Sequence, residues 1–112
     1  VSRNVPRKQT MEMLLTGEPI TATRARDYGL VNRVVAREEL DNAVDDLAQT
    51  IVSKSPLTLA IGKEAYYRQL ELGLSDAYDY ASEVMTRNML VRDAEEGIDA
   101  FLEKRKPGWE GR

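Results

Sequence analysis

The 112-residue sequence contains no cysteine and no histidine. Without cysteine it has no disulfide framework, thiolate nucleophile or zinc knuckle, and its redox compartment stays undetermined. Without histidine it lacks the commonest general base and the commonest metal ligand. These absences exclude most independent catalytic machinery, and we expect neither a catalytic residue nor a metal site.

Long apolar runs and an excess of positive charge are also missing. No segment approaches the roughly 18 apolar residues that a bilayer-spanning helix needs. The 16 Lys and Arg residues against 19 Asp and Glu give a net charge of −3, and the pI is near 5.0. A nucleic-acid-binding protein presents a strongly basic face instead. We therefore expect neither a membrane nor a nucleic acid as a partner.

The residues that are present form a globular mixture with helical periodicity. Charged residues make up 31% and hydrophobic residues 42% of the chain, which is typical of one small folded domain. Apolar residues between positions 37 and 54 recur with the spacing of one helix face. They are Leu40, Ala43, Val44, Leu47, Ala48, Ile51 and Val52. The sequence predicts an all-α fold.

Capping residues punctuate this pattern. Ser and Thr are favoured before helices, proline in their first turn and glycine after their ends. The predicted helices span residues 6–15, 21–29, 37–54, 56–72 and 94–105, and a further helix lies between the last two with Ser75 and Asp76 as its caps. Thr21 and Ser55 begin the second and fourth helices, and Gly17 and Gly73 end the first and fourth. Asp93 and Glu96 form a capping-box-like pair at the start of the last helix.

One segment departs from helical character. Residues Leu30 to Val35 are rich in β-branched side chains, which predicts a short strand. A strand needs a partner for its backbone groups, and no other segment has strand character. The unpartnered strand indicates that part of the fold lies outside these residues.

Candidate chemistry is sparse. The adjacent carboxylates, such as Glu95 and Glu96, point about 100° apart on a helix and make poor catalytic pairs. Lys63 and Tyr67 stand four residues apart and could do proton chemistry, although a ring packed on a lysine stem is commoner.

The basic tail Lys104-Arg105-Lys106 follows Phe101 by one helical turn. It fits either a favourable interaction with the helix dipole or an exposed lysine that meets a phosphate beside an aromatic ring.

Several motifs together resemble the enoyl-CoA hydratase/isomerase (crotonase) family. They are Met13-Leu14-Leu15-Thr16-Gly17-Glu18-Pro19-Ile20, Ala22, Ala25, Tyr28-Gly29-Leu30-Val31-Asn32-Arg33-Val34-Val35, Ser55-Pro56, Lys63, and the run from Glu95-Glu96-Gly97 to Lys106-Pro107. The resemblance covers essentially the whole chain. It implies that residues 1–112 are the C-terminal helical, oligomerising part of a crotonase-like α/β fold, with the catalytic spiral core absent.

The resemblance also implies a function. In the family, backbone N–H groups in the absent core hold the thioester oxygen and stabilise an enolate. The substrate implied is an acyl-CoA, with no covalently bound cofactor. Phe101 matches the aromatic residue that approaches bound CoA, and Lys104 matches the lysine that contacts its phosphates. We expect a full-length CoA-thioester hydratase or isomerase of fatty acid metabolism, and an inactive 112-residue chain.

The resemblance further implies a homo-oligomer, either a trimer or a hexamer. The large apolar faces of so short a chain also predict uncovered patches and self-association. The alternative is a stand-alone helical oligomerisation module without catalysis. The expected location is the cytoplasm of a bacterium or the mitochondrial matrix of a eukaryote.

Overall fold

The computed structural model describes residues 1–112 and confirms the all-α prediction. The helices are α1 (Arg7–Thr16), α2 (Ala22–Asp27), α3 (Leu40–Val52), α4 (Pro56–Gln69), α5 (Leu74–Met89) and α6 (Arg92–Leu102), and a 3₁₀ turn (Arg37–Glu39) precedes α3. The chain divides into two compact units, Val1–Asp45 and Asp46–Arg112, with the boundary inside α3.

The first unit is organised by short-range hydrogen bonds around few buried residues. Val5, Thr10 and Ala25 are buried, and the Thr10 hydroxyl donates to the Val5 carbonyl over 3.1 Å. Gly17 ends α1 in the left-handed conformation with φ +64°. The Thr21 hydroxyl accepts the Arg24 N–H over 3.2 Å and caps α2. The end of α1 at Gly17 and the cap of α2 at Thr21 both agree with the sequence prediction.

Helix α2 ends at Asp27, two residues before the predicted end. Gly29 has φ +77° and donates its N–H to Arg26 O, while the Leu30 N–H donates to Ala25 O, both over 2.9 Å. This is the Schellman arrangement, in which a left-handed residue closes the last helical turn.

The predicted strand at Leu30–Val35 is wrong, because no residue of the chain forms a β-ladder. The first two N–H groups of the segment, those of Leu30 and Val31, are directed back to Ala25 O. The remainder of the segment belongs to no helix or strand. β-Branched composition favours an extended backbone, but a strand forms only where a second strand supplies hydrogen bonds.

The second unit is built from α4, α5 and α6. Helices α4 and α5 pack together, and each contacts α6. Val84 and Ala100 are its buried apolar residues. Ser55 is the N-cap of α4, accepting the Thr58 N–H over 3.1 Å, and Pro56 opens the helix, as predicted.

Two predicted helix starts in this unit are wrong. Helix α5 begins at Leu74 with Gly73 as its N-cap, so Ser75 and Asp76 lie inside the helix. Helix α6 begins at Arg92 after Val91 and ends at Leu102, and no side chain caps its start. Asp93 and Glu96 do not form a capping box there, because their carboxylates bind a more distant part of the chain, described below.

Much apolar surface is uncovered, as expected from the sequence. Leu40, Val44, Leu47 and Ile51 lie on one face of α3 and are 40–57% exposed. Further large apolar residues are exposed on α5, among them Leu74, Tyr78, Met85 and Met89.

Candidate ligand-binding site at the end of helix α6

The predicted site residues Phe101 and Lys104 lie in one backbone turn at the end of α6. Lys104 donates its N–H to Phe101 O over 3.3 Å, and Arg105 donates to Ala100 O over 3.0 Å. These two bonds form a Schellman motif like the one at the end of α2. Lys104 occupies the left-handed position with φ +54°, the only non-glycine residue with positive φ.

The side chains of Phe101 and Lys104 are both available to a ligand. Phe101 is 82% exposed in the last turn of α6, and Lys104 is exposed immediately beyond it. The Lys104 ammonium forms no ion pair or hydrogen bond with the rest of the chain. An uncompensated cation beside an exposed ring can bind a phosphorylated ligand that also carries an apolar or aromatic group.

Arg105, the next residue, is fully engaged. Its guanidinium donates two hydrogen bonds to the Glu96 carboxylate, over 2.5 and 2.9 Å, and a third to Glu103 over 2.5 Å. Glu96 also accepts the Gly108 N–H over 2.7 Å. The Arg105 guanidinium and the Gly108 N–H lower the pKa of Glu96 to about 2, and Glu96 raises the pKa of Arg105.

A second carboxylate, that of Asp93, binds the end of the chain. Asp93 is only 1% exposed and accepts the Ser55 hydroxyl over 2.5 Å and the N–H groups of Glu110 and Gly111 over 2.8 and 3.1 Å. Its own N–H donates to Arg112 O over 2.9 Å. The Ser55 hydroxyl and these backbone donors lower the pKa of Asp93.

Trp109 attaches the middle of the same segment. Its indole N–H donates to Ser53 O over 2.8 Å. A Cβ atom on Gly97 would lie 3.4 Å from the indole ring, so a glycine on α6 leaves the space in which the ring packs. We call residues 105–112 the C-terminal tail; it lies along α6 and reaches the start of α4.

The family resemblance suggested Phe101 and Lys104 as site residues, and the sequence analysis did not anticipate the residues that hold their turn. It assigned Asp93 and Glu96 to a local cap, whereas they bind partners 9 to 18 residues downstream, and Asp93 also binds Ser55, 38 residues upstream. It missed Arg105 as an internal partner and Trp109 as an anchor. The only available signal was opposite charge at the two ends of α6, which the helix dipole explains equally well.

The alternative pair, Lys63 and Tyr67, does not form a site. No hydrogen bond joins the two side chains, and Tyr67 packs instead edge-to-face against Tyr66 with ring centroids 5.4 Å apart. No group of three or more acidic side chains is arranged to hold a metal ion. None of the helices combines the length and apolar character required to cross a lipid bilayer.

Known proteins are similar to this chain in sequence and in fold. Residues 1–112 match the profile of the enoyl-CoA hydratase/isomerase family. The chain is 45% identical over 109 residues to the mitochondrial enoyl-CoA hydratase domain-containing protein 3 of Rattus norvegicus, covering 97% of this chain and 36% of that protein. The motifs of the sequence resemble this type of family member.

Solved structures give the same result. An enoyl-CoA hydratase of Mycobacterium smegmatis superposes with a TM-score of 0.93 at 47% identity, covering 96% of this chain and 42% of that one. Human enoyl-CoA hydratase domain-containing protein 3 superposes with a TM-score of 0.93 at 45% identity, with 96% and 43% coverage. The chain thus spans about two fifths of its relatives' length and corresponds to their C-terminal part.

Proposed function

The chain belongs to the enoyl-CoA hydratase/isomerase family, and from that premise we propose that it is the C-terminal helical segment of a CoA-thioester hydratase or isomerase. In this role it closes the CoA site and joins subunits. Proteins of the family act on acyl-CoA substrates without a further cofactor. The reaction assigned to the whole enzyme is hydration or isomerisation of an acyl-CoA through a stabilised enolate.

The observation that carries the CoA-binding part of the proposal is the conformation of Lys104. A side chain with a Cβ atom in the left-handed region costs roughly 1–2 kcal/mol relative to a right-handed one, and glycine would occupy this position without that cost. Backbone strain at a single residue is a reason to look for function. In our proposal the Lys104 ammonium contacts CoA phosphates, and Phe101 packs on the ligand.

The test is a calorimetric titration of the native protein with CoA and, separately, with pantetheine, which lacks the phosphates and the nucleotide. We expect Lys104→Met to weaken CoA binding roughly fivefold, because an exposed ion pair contributes at most about 1 kcal/mol. Pantetheine binding should not change. Lys106→Met is the matched control, since Lys106 is also exposed and basic but lies outside the left-handed turn.

Equal CoA affinities of Lys104→Met and the unmodified protein would rule out the phosphate contact. An equal loss in Lys106→Met would assign the effect to general positive charge instead. A loss that falls as salt is added supports an ionic contact, because salt screens exposed charges.

The proposal places catalysis outside residues 1–112. Family enzymes stabilise the enolate with preorganised backbone donors, and no residue of this chain is assigned that task. A steady-state assay of the isolated 112-residue chain with an enoyl-CoA should detect no turnover, whereas the native enzyme should turn over. Turnover by the isolated chain would contradict the proposal that catalysis lies outside residues 1–112.

The subunit-joining part of the proposal is supported by a groove between α4 and α5. The groove has a volume of about 290 Å³ and a lining of small and apolar side chains, including Gly62, Ala65, Ala81 and Met85. Asn88, at its edge, has a side-chain oxygen that is buried without a hydrogen-bond partner. We propose a trimer or hexamer, tested by sedimentation velocity; a monomer at high concentration would exclude it.

The same uncovered faces favour a second candidate, a helical oligomerisation module that performs no catalysis. Catalytic activity of the native protein distinguishes the two, because the module assembles without turning over an acyl-CoA. The proposed location is the mitochondrial matrix in a eukaryote, where the rat relative is mitochondrial by name, or the cytoplasm in a bacterium. Fatty acid metabolism is the proposed setting.

A further inference from the structure

The run Lys104-Arg105-Lys106 presents three consecutive cations, but the structure does not treat them alike. Arg105 is bound by two carboxylates, those of Glu96 and Glu103, so its charge is compensated within the chain. Lys104 has no such partner. Arg105 is therefore unsuited to bind an anionic ligand and suited to hold the turn that contains Lys104.

Two bonds from Arg105 to α6, one to Ala100 O and one to the Glu96 carboxylate, support the turn that contains Lys104; we call them the brace. The Arg105 N–H donates to Ala100 O and fixes the turn on its backbone side. The Arg105 guanidinium then reaches back to Glu96, nine residues earlier on α6. Both attachments are made by Arg105, the residue directly after Lys104, and the Lys104 backbone has a conformation that an isolated lysine rarely adopts. Helix ends otherwise open at little free-energy cost.

The C-terminal tail is attached to α6 at further positions beyond Arg105. Glu96 also accepts the Gly108 N–H, and the buried Asp93 holds the N–H groups of Glu110 and Gly111. Arg105 is thus at the start of a segment whose other end is attached to the same helix. Both carboxylates lie in the first half of α6, and they bind the segment that follows the end of the same helix.

We propose that Glu96, acting through Arg105, is a positioning residue for Lys104 in CoA binding. The inference rests on the proposed function, because it concerns the same site. Glu96 touches no ligand in this assignment; it keeps the left-handed turn closed so that the Lys104 ammonium is presented to the phosphates. When the brace is lost, the turn opens and the ammonium samples orientations away from the ligand.

The experiment is a double-mutant cycle on the native protein with CoA as the probe. Glu96→Gln should weaken CoA binding about two- to threefold, part of the loss caused by Lys104→Met. In the Lys104→Met background the same Glu96→Gln change should have no further effect on CoA affinity. Glu95→Gln is the matched control, because Glu95 is adjacent on α6 and pairs only with Arg92.

The outcomes separate this inference from the proposed function. Unchanged CoA affinity in Lys104→Met contradicts the proposed function itself. A loss in Lys104→Met with none in Glu96→Gln contradicts only the positioning role. An equal loss from Glu96→Gln in both backgrounds assigns Glu96 a general structural role and overturns the inference.

A second variant keeps the test decisive if Glu96→Gln does not fold. Arg105→Lys retains the positive charge but replaces the two-pronged bond to Glu96 by a single point contact. We expect it to lower CoA affinity by less than Lys104→Met does, with pantetheine binding unchanged. Unaltered CoA affinity in Arg105→Lys would overturn the positioning role, and circular dichroism checks that the helices remain.

Discussion

Helices α2 and α6 end in the same backbone turn but place different residues in it. At the end of α2 the left-handed residue is Gly29, with φ +77°, and at the end of α6 it is Lys104, with φ +54°. Glycine adopts this conformation freely, whereas lysine does so at a cost. The turn at Gly29 is therefore explained by chain reversal alone. The turn at Lys104 carries this cost and therefore needs further support from the rest of the chain.

The support differs as well. The turn at Gly29 depends on bonds between residues three to five apart, those of Gly29 and Leu30 to Arg26 and Ala25. The turn at Lys104 has the equivalent local bonds, and in addition the C-terminal tail is anchored on Asp93 and Glu96. A lysine in the left-handed conformation thus occurs where a helix precedes it and longer-range contacts fix the chain that follows it.

The largest effect should come from removing the buried anchor of the tail. Asp93→Ala leaves the N–H groups of Glu110 and Gly111 and the Ser55 hydroxyl without their acceptor, so we expect the melting temperature to fall by roughly 5–10 °C. Thermal unfolding followed by circular dichroism measures it. Asp99→Ala is the control, since Asp99 is an exposed carboxylate on the same helix; a similar fall in both variants would contradict the anchoring role.

The next effect tests the unsupported turn. Gly29→Lys puts a Cβ atom at φ +77°, where it meets Asn4 O at 3.4 Å, and no carboxylate brace is present to hold it. We expect a loss of roughly 1–2 kcal/mol in the free energy of unfolding, measured by urea denaturation. No loss would show that the left-handed position accepts lysine without help, and the comparison with Lys104 would fail.

The contribution of Glu96 to the free energy of unfolding should depend on pH. The pKa of Glu96 is lowered from its usual 4.5 to about 2 in the folded protein. The unfolded chain therefore binds the proton first as acid is added, and the stabilisation by Glu96 is complete above about pH 4.5 and declines toward about pH 2. Urea denaturation should give a smaller loss of stability across this window for Glu96→Gln than for the unmodified protein. Equal losses would contradict the assignment.

The smallest effect has the opposite sign. Lys104→Gly removes the Cβ atom from the left-handed position, so we expect a gain of up to about 1 kcal/mol in the free energy of unfolding. Urea denaturation at neutral pH measures the gain, and CoA titration of the same variant should show the fivefold loss expected for Lys104→Met. A fall in stability would mean that the lysine side chain contributes to folding and that the left-handed conformation of Lys104 is not strained.

The sequence by itself determined the helical character of the chain and several of its turns. Gly17 and Gly29 adopt left-handed conformations, and Thr21 and Ser55 cap helices, as predicted. These features depend on hydrogen bonds between residues at most five apart, so the local sequence is sufficient to specify them. Family motifs added Phe101 and Lys104 as site candidates.

Only the tertiary structure decided the features that depend on distant partners. The segment 30–35 has strand composition but no strand to pair with. Asp93 and Glu96 have the spacing of a cap, yet they bind Gly111 and Arg105, 18 and 9 residues away. A carboxylate next to a helix start satisfies either a local N–H or a remote donor, and the folded path of the chain determines which one is within reach.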